Sequence, residues 1–230
     1  MNMNRRKCIL LGVAATASRL PAQQVAVRPE PDRGARQDLD LVKAFVGAGH
    51  NDKNLDRVKE YLSQNPKLVY ASWDWGGGDW ETALGGASHT GSRQMARYLL
   101  SQGARIDSFC AAMLGERGVV TALVSADPSV VAARGPHGYT LLYHVAISGD
   151  VAMADLLKPH LPAQPGIYNQ ALGAAVRDGH AAMTKWLFEN GNANPNVEDA
   201  MGKRPLTLAI QKNFPEVAEE LRRRGAKESD

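Results

Sequence analysis

Cysteine is scarce in this chain, and so are aromatic rings and long apolar runs. Its 230 residues contain two cysteines, Cys8 and Cys110, and aromatic residues make up 6% of the composition. Cys8 lies in what reads as a removable leader, which leaves Cys110 alone and excludes an intrachain disulfide in the mature chain. Cys110 has no motif that would activate it and reads as a small apolar packing residue. The apolar run near the N-terminus, Cys8 to Ala17, is about half the ~20 residues a membrane-crossing helix needs, so the mature chain is expected to make no stable membrane insertion. There is no phosphate-binding loop and no nucleophile elbow. The six histidines, His50, His89, His137, His144, His160 and His180, show no short metal-ligand spacing. No metal or cofactor is expected. His89 and His144 fall in or beside helical segments and read as structural.

The first residues read as a targeting segment. Arg5-Arg6-Lys7 precedes the apolar run and small residues follow it, the arrangement of a signal peptide. The twin arginine followed by Lys7-Cys8-Ile9-Leu10 resembles a twin-arginine export signal, although Cys8 stands where that signal prefers Phe. Cleavage is expected between Ala22 and Gln23, giving a signal peptide at 1–22 and an exported, periplasmic product. The whole chain has 27 Lys and Arg against 24 Asp and Glu. Loss of Arg5, Arg6, Lys7 and Arg19 leaves 23 basic residues against 24 acidic ones. The basic balance therefore belongs to the leader, and no nucleic-acid partner is expected. Residues 23–37 mix charges, two prolines and a glycine with few large apolar side chains, and read as a flexible linker.

What is abundant is repetition. Thr82-Ala-Leu-Gly-Gly-Ala-Ser-His-Thr-Gly91 is echoed by Thr140-Leu-Leu-Tyr-His-Val-Ala-Ile-Ser-Gly149, and again from Gln170 and from Arg204. An apolar stripe at helical spacing follows each copy: Met95, Ala96, Tyr98, Leu99 and Leu100 after the first, Met183, Trp186, Leu187 and Phe188 after the third. Starts lie 34 residues apart from Ile106 to Thr140 and from Gln170 to Arg204. This pattern resembles the ankyrin repeat, whose period is ~33 residues. The resemblance implies an all-α solenoid of about six stacked helical hairpins filling residues 38–230. The first repeat, with its stripe of Leu39, Val42, Phe45 and Val46, is degenerate. So is the third, with Val119, Val120, Leu123 and Val124. Only 24 residues separate Thr82 from Ile106, too few for the usual finger, so these units should join almost directly.

One segment departs from the pattern. Trp73-Asp-Trp-Gly-Gly-Gly-Asp-Trp-Glu81 stands where the second unit's finger should be and holds three of the four tryptophans. Its rings could pack against the start of the array. Alternatively, a mobile glycine-rich loop could present Trp73, Trp75, Trp80, Asp79 and Glu81 at the concave rim, as interface anchors are presented. His137 and Tyr139, in a later finger, are second-tier contact candidates. With Glu81-Thr-Ala-Leu-Gly-Gly-Ala-Ser-His89, the segment is similar to exported bacterial ankyrin-repeat proteins of unassigned function. The reading is a monomeric, non-catalytic scaffold that binds another protein outside the cytoplasm. The alternative is a carbohydrate-binding or hydrolytic accessory using the Trp/Asp/Glu loop. Asp74, Asp79 and Glu81 would then serve as paired carboxylates, which require a rigidly held separation.

Overall fold

A computed structural model describes residues 38–229. Among them, twelve α-helices form six antiparallel pairs. The pairs are α1 (Leu39–Ala48) with α2 (Leu55–Gln64), α3 (Ala83–Thr90) with α4 (Arg93–Ser101), and α5 (Ser108–Leu114) with α6 (Arg117–Ala126). They continue with α7 (Leu141–Ser148) and α8 (Val151–Leu157), α9 (Pro165–Arg177) and α10 (Ala181–Gly191), and α11 (Pro205–Gln211) and α12 (Pro215–Arg223). The first helix of each pair packs on the first helix of the next, α1 on α3, α3 on α5 and so on to α11.

The recurring phrase has a local cause at each end. Its threonine is the N-cap: Thr82 Oγ1 accepts the Gly85 N–H at 3.0 Å, and Thr140 Oγ1 accepts the Tyr143 N–H at 3.3 Å, satisfying donors the helix leaves open. In the third unit Asp107 does the same for Cys110. At the far end, Gly149 takes a left-handed φ of 72° while its N–H caps α7. A side chain there would be strained, and a Cβ would also stand 2.6 Å from the His180 ring, so both backbone and packing require glycine.

Between those ends the inner helices are sandwiched. Every residue of α3 from Ala83 to His89 and of α7 from Leu141 to Ile147 is buried. A helix enclosed on all sides is apolar all round, and Ala and Gly let neighbours approach closely. The outer helices bury one stripe each: Met95, Ala96 and Leu99 on α4, and Val217, Ala218 and Leu221 on α12. Longer side chains bind the stack laterally. Arg93 donates to the carbonyls of Met113, at 2.7 Å, and Ile147, at 3.2 Å, and so occupies two neighbouring helix C-termini. Cys110 is fully buried, and burial pushes its thiol up to about 12.

Three expectations are corrected. Leu39 is 67% exposed, because it opens the first helix of the described array and no helix covers it. Val119 and Leu123 lie on the outward side of α6, where Val120 and Val124 alone are buried. The fifth unit starts five residues before its phrase: Pro165 is the first residue of α9, and Ile167 and Tyr168 are buried in the added turn. The junction between the second and third units, Gln102 to Asp107, contains no strand. Among the described residues no helix is long and apolar enough to cross a membrane. The leader, Arg5, Arg6, the Ala22–Gln23 bond and the linker at 23–37 lie outside the described residues.

Candidate functional site

The segment that breaks the repeat is an ordered hairpin. Strands β1 (Ser72–Asp74) and β2 (Trp80–Thr82) pair antiparallel, with Trp73 opposite Glu81 and Asp74 opposite Trp80. Gly76, Gly77 and Gly78 make the turn at φ 128°, 67° and 88°, values that only glycine holds without strain. Asp74 accepts the Gly76 N–H at 2.9 Å and the Gly78 N–H at 3.2 Å. That carboxylate is therefore committed to the turn.

The hairpin separates its three rings. Trp73 packs half-buried on α1 with Lys43 over its face, 5.7 Å from the ring centre. Trp75 is 38% exposed and donates its indole N–H to Glu81 Oε2 at 2.7 Å. Trp80 is 61% exposed. The rings form no common stacking platform, and Trp80 is the most exposed of the three.

Glu81 departs furthest from its expected place. As the middle residue of β2 it points inward and is 1% exposed, so a partner at the rim does not reach it. Its carboxylate is the focus of three imidazoles. His50 Nε2, just beyond α1, lies 2.9 Å from Oε2; His89 Nε2, on α3, lies 3.2 Å from Oε1; His137 Nε2 lies 3.7 Å from Oε2. His137 comes from the 3-10 turn Pro136–Gly138 and holds a left-handed φ of 57°. Asp79 fixes that turn, accepting the His137 backbone N–H at 2.8 Å and facing its Nδ1 at 2.6 Å. Glu81 and the three histidines offer one donor atom each, all within 4.8 Å of one another.

The neighbourhood is built to admit these rings. A Cβ on Gly86 would come within 3.0 Å of the His50 imidazole, so this glycine leaves room for the histidine to lie on α3. The rings of His50 and His89 meet edge to face at 5.1 Å, as do those of His89 and His137 at 4.9 Å. Tyr139 stacks on His89 at 5.5 Å and on Tyr143 at 4.1 Å. Tyr139 thus joins the cluster to the inner helices.

Electrostatics divide the histidines. Hydrogen bonding with Glu81, helped by its charge, outweighs burial and raises His50. Burial dominates at His89 and lowers it to about 4. For Glu81, burial works to raise the carboxyl, but the His50 contact and the Trp75 indole together hold it below the usual range. The His137 backbone N–H chiefly lowers Asp79. The Glu81 carboxylate thus favours the charged form of His50, while burial favours the neutral form of His89.

Sequence reasoning named Glu81, Asp79, His137, Tyr139 and the tryptophans, and the structure brings Trp75, Asp79, Glu81, His137 and Tyr139 together. It missed His50 and His89. In chain order, at 50, 81, 89 and 137, the four clustered side chains stand 31, 8 and 48 residues apart, and they come from four separate elements. No short-spacing motif could contain them.

A second feature lies on the inner helices of the last three units. A cleft of about 360 Å³ is lined by Tyr139, Tyr143, Gly173, Arg177, Lys203 and Leu208, among others. Arg177 donates to the Tyr143 hydroxyl at 3.1 Å and is paired with Asp178 at 3.0 Å, which orients its guanidinium beside the cleft.

No curated protein matches the chain. Residues 157–229 match the family model for ankyrin repeats, in three copies. With six helical hairpins stacked in register, the described chain has the all-α architecture of an ankyrin-repeat solenoid.

Proposed function

We propose that this chain is a non-catalytic, protein-binding ankyrin-repeat scaffold that acts outside the cytoplasm as a monomer. Ankyrin repeats are protein-interaction modules in general, because stacked hairpins present an extended surface of inner helices and finger tips. The observation that carries the reading is the cleft across the last three units. It combines stacked aromatic rings, an oriented arginine and mixed charge on Glu198, Asp199, Lys203 and Arg204, the chemistry of an interface core with a polar rim. Trp80 and Met201, outside the cleft, are exposed and offer further apolar anchors. The hydrolytic alternative loses its support: Asp74 caps a turn, and Glu81 lies beneath the histidines.

Export rests on the Arg5-Arg6 leader. Its test is replacement of both arginines by lysine in the native host; unchanged delivery to the envelope would exclude the twin-arginine route. Binding is tested by a photo-crosslinking residue placed at Lys203 or Trp80, and at Lys185 on the outer helix α10 as the control. A discrete adduct is expected from the first two positions and none from the third. Adducts of equal yield from all three would remove the cleft as the binding surface.

A further inference from the structure

We propose that His50, Glu81, His89 and His137 form a binding site for one divalent transition-metal ion of the zinc class. The donor set is three imidazole nitrogens and one carboxylate oxygen, which suits zinc in a four-coordinate tetrahedral site. Bonds of ~2.0–2.2 Å place neighbouring ligand atoms about 3.3–3.6 Å apart in a tetrahedron. The distances from the Glu81 oxygens to the three Nε2 atoms, 2.9, 3.2 and 3.7 Å, straddle that range. With all four donor atoms inside 4.8 Å of one another, side-chain rotation draws them onto a common centre without moving the backbone elements that carry them.

A second, independent observation points to a cation. Glu81 Oε1 and His89 Nε2 are buried polar atoms with no hydrogen-bond partner. They face each other across the middle of the cluster. Leaving such atoms unpaired in the interior is costly, and a cation between them would satisfy both at once. Their own geometry makes no bond to do so.

The surrounding groups complete the argument. A metal-ligating histidine typically passes its second ring nitrogen to a carbonyl or carboxylate, which fixes the ligating nitrogen. Here His50 Nδ1 meets the Gly47 carbonyl at 3.0 Å, and His137 Nδ1 meets Asp79 Oδ2 at 2.6 Å. Both arrangements turn Nε2 toward Glu81. The carboxylate is itself held by the Trp75 indole. The half-exposed edges of His50 and His137, 26% and 34% by side chain, provide an entry path. Four protein ligands leave no open coordination position, so the ion is structural. It would tie together the end of α1, the hairpin, α3 and the finger before α7, which lie far apart in the chain.

The test uses the full chain, stripped with a chelator and titrated with Zn²⁺ alone. One zinc per chain is expected to survive gel filtration. Co²⁺ in its place should give the intense visible bands of tetrahedral nitrogen and oxygen coordination, without a thiolate charge-transfer band. His137→Ala and Glu81→Gln should each weaken zinc at least 100-fold, and Asp79→Asn at least tenfold. His160→Ala, outside the cluster, should change nothing. Substoichiometric zinc in the unmodified chain overturns the proposal, as does a thiolate band. So does wild-type affinity in His137→Ala, whose position on a partly exposed turn leaves the core intact. The wild-type stoichiometry and the Co²⁺ spectrum decide the matter even if a variant fails to fold.

Discussion

Glu81 and His89 face each other at 3.2 Å, carboxylate oxygen to imidazole Nε2, both buried, and no hydrogen bond joins them. The two residues differ in what else depends on them. Glu81 also receives the Trp75 indole and pairs with His50, whereas the His89 ring packs against Tyr139 and the neighbouring imidazoles. In chelator, Glu81→Leu should therefore destabilise the protein by about 2–4 kcal/mol, since it leaves the Trp75 indole and the partly buried His50 ring without their acceptor. His89→Leu, of similar volume, should cost less than about 1 kcal/mol because it also removes an unsatisfied atom. Urea unfolding midpoints measure both. Equal losses would show that His89 contributes more than shape. With zinc present the His89 variant should fall behind wild type, because only wild type gains from binding.

The repeat was legible because it is local. A capping threonine, a run of small apolar residues and a left-handed glycine lie within ten residues, and each acts on its own helix. The exposed face of α6 was misread because Val119 and Leu123 are apolar on both sides of the helix, so periodicity cannot tell inward from outward. The site was half legible. The Trp-rich finger stood out as a departure, yet its ordering comes from Asp74, whose role depends on the turn. His50 and His89 were invisible as a pair because stacking, not sequence spacing, brings α1 beside α3. Glu81 looked like a rim residue by type, and the alternation of a three-residue strand turned it inward.

His144 gives the array a built-in acid sensitivity. It is buried on α7 and faces the Thr140 carbonyl at 2.8 Å through Nδ1, with Phe109 and Tyr143 against its ring. Burial lowers it from 6.5 to about 4, and the positive charge of Arg177 adds to that. Between those values the unfolded chain binds the proton and the folded chain does not. Stability attributable to His144 is thus full above pH 6.5 and lost as pH falls through about 4, up to about 3 kcal/mol. His89 titrates in the same window, so the comparison is wild type against His144→Asn, which keeps a donor near the Nδ1 position but does not titrate. In chelator, the fall in unfolding free energy from pH 7 to pH 4 should be smaller in the variant. Parallel curves would assign the acid loss elsewhere.

Two glycines should respond to alanine with opposite sign. Gly149 combines a φ of 72° with a Cβ position 2.6 Å from the His180 ring, so Gly149→Ala should cost about 1–3 kcal/mol. Gly173 sits inside α9, exposed on the cleft, with nothing within 4 Å of a Cβ. Gly173→Ala should stabilise by about 0.5–1 kcal/mol through helix propensity alone. Thermal melts decide both. A destabilised Gly173→Ala would mean that the inner helix cannot accept even a methyl group on its concave side.

Trp75 and Trp80 occupy one hairpin, five residues apart, and should separate stability from recognition. Trp75 keeps its indole N–H on a buried carboxylate, so Trp75→Phe retains most of the ring but leaves that oxygen short of a donor, at about 1–3 kcal/mol. Trp80 stands 61% exposed on the outer side of the pair with Asp74. Trp80→Ala should change stability by less than about 0.5 kcal/mol, because little of the ring is withdrawn from water on folding. If the hairpin tip contacts the partner, the same substitution should abolish the adduct from a photo-crosslinking residue at Lys203 or reduce its yield at least tenfold, as loss of an aromatic anchor does. An undiminished adduct with Trp80→Ala would confine the partner to the cleft of the last three repeats and leave the hairpin to the histidine cluster beneath it.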